Sequence, residues 1–176
     1  MFNRILVAID NSPWSEQVFN EAVSLAKATD ANLMLLHVLS ALDEEYIDPL
    51  FLQPTILYPE YQGNSSKYRK GWDKLKSDRL NWLRLLCDKA TQLGVKTEFS
   101  QNMGEPCQMI CDMARNWDAD VIIIGRRGRR GISELLMGSV SNYVLHHAHC
   151  SVLVVQGIIV DTEEKQETAK VEIIHG

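Results

Sequence analysis

No apolar stretch of this chain reaches the roughly 20 residues that a helix needs to span a bilayer, which argues against a membrane protein. The N-terminus has no segment resembling a signal peptide. Cysteine is scarce: Cys87, Cys107, Cys111 and Cys150 lack the spacing of a disulfide framework, so the expectation is a cytoplasmic protein with reduced thiols. Positive charge is not in excess either. Eighteen Lys and Arg against 23 Asp and Glu give a formal net charge of −5, which argues against bulk attraction to nucleic acid or to an acidic membrane surface. Internal repeats are absent.

What is present fits one domain. The 176 residues are enough to bury a respectable core, and 45% apolar with 23% charged residues is ordinary for a globular protein. Short continuous apolar runs mark strands buried on both faces: Arg4 to Asp10 (RILVAID), Ala31 to Leu39 (ANLMLLHVL), the DVIIIG run ending at Gly125, and Ser151 to Gln156 (SVLVVQ). Val95 to Met103 alternates weakly and reads as a strand nearer a sheet edge. Between them lie helical patterns. Ser12 and Pro13 read as an N-cap and first-turn proline, with Val18, Phe19, Ala22, Val23, Leu25 and Ala26 following at helical spacing. Trp72 to Gly94 reads as a long amphipathic helix closed by Gly94. Pro106 opens a helix through about Trp117, and Ser139 to His147 is the last. Five strands alternating with four helices predict an α/β fold: a doubly wound open sheet of five parallel strands with helices on both faces, in one domain over residues 1–176. Ligands bind such sheets beyond the carboxyl ends of the strands, where strand order reverses. Asp10, Val38 and Gly125 all fall at or near strand ends.

Two segments stand outside this pattern. Ser40 to Gly71 is far longer than an ordinary strand-to-helix connection, and reads either as an insertion packed over the crevice or a partner, or as a mobile loop. The tail 157–176 contains a charged, solvated stretch, although VEIIHG could pair as a late strand.

The stretch GRRGRRGISELLMGSVSNYV, Gly125 to Val144, carries the chemistry. It lacks the G-x-G-x-x-G of a dinucleotide fingerprint and the G-K-[ST] lysine of a P-loop. What stands is G-x2-G-x9-G-S, from Gly125, Gly128, Gly138 and Ser139. Gly125 at a strand end lets backbone approach a ligand, and a helix starting after Gly138 offers unsatisfied N–H groups to an anion, with the Ser139 and Ser141 hydroxyls beside them. The same spacing also suits glycines that merely form turns and a serine that merely caps. Arg126, Arg127, Arg129 and Arg130 could reach a phosphate chain as charge-assisted donors, or pair in solvent with acidic neighbours such as Glu134.

These residues, together with ILVAID-S--S, LLHV, GEP at Gly104 to Pro106, ADVIIIG and GSVSNYVLHHAHCSVLVV, resemble the universal stress protein family in its nucleotide-binding branch. The resemblance covers most of the chain, and the complete G-x2-G-x9-G-S pattern makes it specific. It implies a Rossmann-like five-stranded sheet that holds ATP, or ADP or AMP, in its crevice, with Mg²⁺ as an optional companion. Carried over by position, Asp10 would face ribose and adenine with the Ala8 backbone nearby, and Val38 would present main chain to the adenine edge. Gly125, Arg126, Arg127, Gly128, Arg129 and Gly131, with Gly138, Ser139, Val140 and Ser141, would surround ribose and phosphates. Asn11 stands where the family often has glycine, and Ser40 to Gly71 is longer than usual. The implied function is an ATP-binding stress-response regulator, without catalysis, acting on a protein partner that the sequence does not identify. The alternative is a slow ATPase or phosphotransferase using Asp10 and Mg²⁺, and a third reading is an assembly module with an empty site.

Other residues have plainer readings. His146, His147, His149 and Cys150 are spaced poorly for a tetrahedral metal site, and imidazoles at a helix C-terminus suit its dipole. Cys107 and Cys111 read as buried structural thiols, His37 as a hydrogen-bonded core residue, and Ser12 and Ser15 as caps rather than nucleophiles. Ser151 to Val160 (SVLVVQGIIV) is too apolar for an open edge. A homodimer through this last core strand is therefore expected, as the family resemblance also implies.

Overall fold

A computed structural model of the chain describes residues 1–40, 65–126 and 138–156. The apolar runs form β1 (Arg4–Ala8), β2 (Asn32–Leu39), β3 (Thr97–Met103), β4 (Val121–Arg126) and β5 (Ser151–Gln156). All neighbours pair in parallel, in the order β3-β2-β1-β4-β5. Between them run α1 (Ser15–Thr29), α2 (Ser65–Gln92), α3 (Pro106–Asn116) and α4 (Ser139–His147), the expected alternation.

Successive strand residues face opposite sides of the sheet, and both sides are covered. Ile5, Val7 and Ile9 of the β1 segment pack with Phe19, Ala22 and Ala26 of α1 and with Leu83, Cys87 and Ala90 of α2. Leu6 and Ala8 face the other way, toward Ile110 and Ala114 of α3 and Val144 of α4. Burial on two faces is why these strands read as unbroken apolar runs. The polar, partly buried β3 takes an edge, as its weak alternation predicts.

Three of the four crossovers end alike, while α4 ends in extended backbone at Ala148. After α2, Gly94 adopts φ +87°, its N–H donates to the Thr91 carbonyl (2.9 Å), and the Val95 N–H reaches back to Ala90 (3.1 Å). That is the six-to-one and five-to-two pair of a left-handed C-terminal cap, the role expected of Gly94. Asp30 and Asp118 take the same left-handed conformation, at φ 54° and 52°, beyond α1 and α3. The Ala31 and Ala119 N–H groups then bond back to Ala26 (3.0 Å) and Ala114 (2.9 Å). Each cap returns the chain at once to the start of the next strand. There Asp120 accepts from the Asn3 and Arg4 amides (2.7 and 2.8 Å), tying the start of β4 to the start of β1. These amides hold its carboxyl below the usual carboxylate range.

Two sequence expectations need correction. The long helix starts at Ser65 rather than Trp72, so the end of the Ser40–Gly71 excursion is helical. Its polar composition and Gly71 hide the helix; once nucleated, a helix adds one backbone bond per residue and tolerates a glycine. Second, α1 starts at Ser15 with Trp14 at the N-cap position, so Ser12 is not the cap. Ser12 instead opens a turn in which its carbonyl accepts from the Ser15 N–H (3.1 Å). Residues 41–64 and the tail 157–176 lie outside the described residues, and with them the expectations about the excursion's packing and a late strand.

Candidate functional site

Chain order reverses beside β1. The chain passes from β1 outward to β2 and β3, then returns to β4 on the other side of β1. At the carboxyl ends of β1 and β4 the described residues bound a cleft of about 190 Å³. This is the switch point at which doubly wound sheets take their ligands.

The cleft has both apolar and polar lining. Ala8, Leu36, Val38, Ile124, Pro106 and Ile110 are among the first kind. Asp10, Ser12, Ser15, Arg126, Ser139 and Ser141 are the second, together with Gly125 and Gly138. Of the residues expected from the sequence, the structure therefore brings together Ala8, Asp10, Val38, Gly125, Arg126, Gly138, Ser139, Val140 and Ser141. Arg127, Gly128, Arg129, Arg130 and Gly131 lie outside the described residues.

Around Asp10 the wall is made of side chains. Leaving β1, the chain still donates from Ile9 N–H to the Leu36 carbonyl (3.0 Å), which fixes the direction in which Asp10 leaves the sheet. The Asp10 carboxylate oxygen Oδ1 accepts from the Ser12 N–H at 3.1 Å, an Asx turn, and from the Ser15 hydroxyl at 3.0 Å. The Ser15 hydroxyl also meets the Asp10 main-chain carbonyl. Ser15 is a buried polar residue, so these contacts supply the partners its hydroxyl requires.

Across the cleft the wall is main chain. Asn142 N–H donates to the Gly138 carbonyl (2.9 Å), the first bond of α4, which leaves the N–H groups of Ser139, Val140 and Ser141 outside the helical ladder. α1 and α3 also begin at this rim, through Trp14, Ser15 and Pro106. Helix N-termini carry partial positive charge, so the cleft favours an anion at these helix starts.

Two glycine and serine readings change. A Cβ on Gly125 would stand 2.9 Å from the Val18 Cγ2 of α1, so this glycine is required for packing the helix against β4, besides lining the cleft. Ser141 is almost fully buried and its hydroxyl donates to the Gly138 carbonyl (3.0 Å), which commits its proton to the helix turn and not to a ligand. Gly138 itself has φ −58° and ψ 149°, a conformation open to any residue. Sequence reasoning missed Trp14, half-buried at the rim, and the joint role of Ser12 and Ser15 around Asp10. The D-x-S-x-x-S spacing was the available signal.

Elsewhere, His37 is buried and meets the Trp82 ring edge-on at 5.9 Å. His147 stacks on Tyr143 at 3.9 Å, with its Nδ1 2.8 Å from the Tyr143 carbonyl. No group of three or more metal-ligating side chains occurs among the described residues. Cys111 is buried but Cys107 is only partly so, against the expectation for the pair. Burial pushes both thiols up, with Asp112 and Glu105 respectively adding to it, and so disfavours thiolate. No helix among the described residues is long and apolar enough to cross a membrane.

A sequence model of the Universal stress protein family matches residues 1–156. The chain is 34% identical to the universal stress protein Sll1388 of Synechocystis over 160 residues, covering 88% of this chain and 98% of the relative. It is 33% identical to the universal stress protein YxiE of Bacillus subtilis over 156 residues, 89% of this chain and 100% of the relative. Among solved structures it resembles universal stress protein UspA from Lactobacillus plantarum, with TM-score 0.67, 23% identity, and coverage of 87% and 97%. A universal stress protein in complex with cAMP matches with TM-score 0.57 and 22% identity over 88% of this chain and 97% of that one. A family protein from Arabidopsis thaliana with AMP bound matches with TM-score 0.57 and 19% identity over 91% and 95%.

Proposed function

The chain belongs to the universal stress protein family, and from that premise we propose that it is a cytoplasmic regulatory protein that binds ATP, or its shorter relatives ADP and AMP, in the cleft between β1 and β4. One observation carries this reading. The cleft is lined together by apolar side chains, suited to a base, by a carboxylate and by the start of a helix. A nucleotide needs all three: apolar contact for the base, an acceptor for sugar hydroxyls, and N–H donors for phosphate. Two proteins of the same fold, one in complex with cAMP and one with AMP bound, support the choice of ligand class.

Binding without turnover is the better reading of the chemistry. Phosphoryl transfer needs groups that hold metal, orient a nucleophile and stabilise charge. Among the described residues, Asp10 is the one carboxylate lining the cleft, and no histidine lines it. If Mg²⁺ accompanies the nucleotide, Asp10 is the side chain available to it there. Protein purified from cells should carry adenine nucleotide, recovered on acid extraction and identified by chromatography. Added ATP should remain intact over many minutes. Extraction yielding no nucleotide, with none taken up on incubation, contradicts the reading; multiple turnovers per minute would restore the enzyme alternative.

The regulatory output passes through assembly. β5 pairs with β4 along one side and carries Leu153, 43% exposed, with Val152 and Val154 half-buried. An apolar edge of this kind is protected by pairing with its copy about a two-fold axis. The chain is therefore a homodimer with one nucleotide site per subunit, offering a composite surface to a further protein. Sedimentation at tens of micromolar should give a dimer, and Leu153→Lys, at the exposed position rather than at Val154, which packs on the subunit's own core, should give monomer or insoluble protein. A monomeric wild type contradicts this assembly.

A further inference from the structure

Packing accounts for Trp82 and Trp117 but not for Trp14. Trp82 packs on the buried cluster beneath α2 and meets His37 edge-on at 5.9 Å. Trp117 packs on the cluster of the opposite face, donates from Nε1 to Glu98 (2.7 Å), and has the Arg4 guanidinium over its ring at 5.7 Å. Trp14 lines the cleft and is half-buried there. Among the described residues its ring joins neither buried cluster.

The helix start does not call for an indole either. Trp14 stands at the N-cap position of α1, at φ −86° and ψ −12°, and makes no side-chain cap there. Ser, Thr, Asp or Asn would serve the helix better at that place. The backbone around it is nevertheless fixed. Pro13 restricts the preceding φ, the Ser15 N–H donates to the Ser12 carbonyl (3.1 Å), and the Trp14 carbonyl accepts from the Val18 N–H (3.1 Å). Two side-chain torsions are all that remain to the indole, so it loses little freedom when a ligand covers it.

An indole offers a broad apolar face and a single N–H donor. Donors for an anion already come from the helix starts around the cleft. An aromatic face suits a purine or the C–H face of a sugar instead. We propose that Trp14 is a ligand-contacting residue of this cleft, its ring packing on the nucleoside part of the bound adenine nucleotide and not on the phosphates. The inference rests on the nucleotide reading above and names an aromatic contact of that same site. It also makes Trp14 the reporter of occupancy, since Trp72, Trp82 and Trp117 do not line the cleft.

The test is titration of AMP and ATP into wild type, Trp14→Phe and Trp14→Ala, read by calorimetry and by tryptophan emission. Wild-type emission should change saturably, in step with calorimetric occupancy. Trp14→Phe keeps an aromatic face, so it should bind nearly as wild type does while losing most of the emission change. Trp14→Ala should weaken AMP and ATP by the same factor, about tenfold, within the range for loss of one base–aromatic contact. Wild-type affinity in Trp14→Ala overturns the proposal, and so does an emission change that survives in Trp14→Phe. A loss confined to ATP would assign Trp14 to the outer phosphates and also overturns it. If the alanine variant does not fold, the emission of Trp14→Phe still decides. Nucleotide binding without any effect at Trp14 removes this contact alone; a wild type that binds neither nucleotide removes the nucleotide reading itself.

Discussion

The two walls of the cleft are built on opposite plans. On the β1 side the wall is made of side-chain atoms, among them a carboxylate whose Oδ1 meets the Ser12 amide and the buried Ser15 hydroxyl. On the α4 side the main chain supplies the donors, from a helix start whose cap residue has no side chain at all. A side-chain wall fails when one atom is removed. A main-chain wall is indifferent to the deletion of side chains and fails when bulk is added. Substitutions on the two sides should therefore differ in kind, and the expected effects follow from that difference.

The largest effect belongs to added bulk on the main-chain wall. Gly138→Val should abolish ATP binding, a loss of at least about 3 kcal/mol or more than a hundredfold. The backbone of Gly138, at φ −58° and ψ 149°, accepts valine, so the variant should fold. Wild-type affinity in a folded variant would remove the α4 wall from the site. Next comes deletion on the opposite wall. Asp10→Ala should weaken ATP by about 1.5–3 kcal/mol, and dideoxy-ATP should then bind wild type and variant nearly alike. If the variant still discriminated fully between ATP and dideoxy-ATP, Asp10 would have another task.

Gly125 lies where the two walls are held to each other. A Cβ there would stand 2.9 Å from Val18 Cγ2. Gly125→Ala should cost about 1–3 kcal/mol in denaturant unfolding through overpacking. Val18→Ala should recover much of that loss in the double variant, since the two changes share one contact. Additive losses would place the cost elsewhere. The smallest effect is the sharpest test of the contrast. Ser139 is exposed at the first position of α4, and if its amide is the donor, Ser139→Ala should change ATP affinity by less than about 1 kcal/mol. A loss matching that of Asp10→Ala would mean that the α4 wall also works through side chains.

The same contrast explains what was legible in the sequence. Doubly buried strands announce themselves as apolar runs, so β1, β2, β4 and β5 and their parallel order of alternation could be read directly. Gly94 was legible because a left-handed cap strongly favours glycine, whereas Asp30 and Asp118 serve the same function without that signature. The start of α1 was misplaced because Ser12 has the composition of a cap, yet its amide is taken by the Asp10 carboxylate. The start of α2 was hidden by a polar stretch and Gly71, where tertiary context overrides propensity. In the cleft, Gly125 and Gly138 were picked out by glycine spacing, and both line it. The reason for Gly125 was not, because it depends on Val18, a residue far off in sequence that only the fold brings against it. Ser15 was read as a cap for the same reason: its bond to Asp10 is a fact of three dimensions.

The most direct test of the cleft as a nucleotide site is a calorimetric panel of ATP, ADP, AMP and cyclic AMP, with and without Mg²⁺, on wild type and Gly138→Val. The account predicts saturable binding of adenine nucleotide by the wild type, one per chain, and its loss in the folded variant. An absence of binding by all four, or binding that Gly138→Val leaves unchanged, would contradict it.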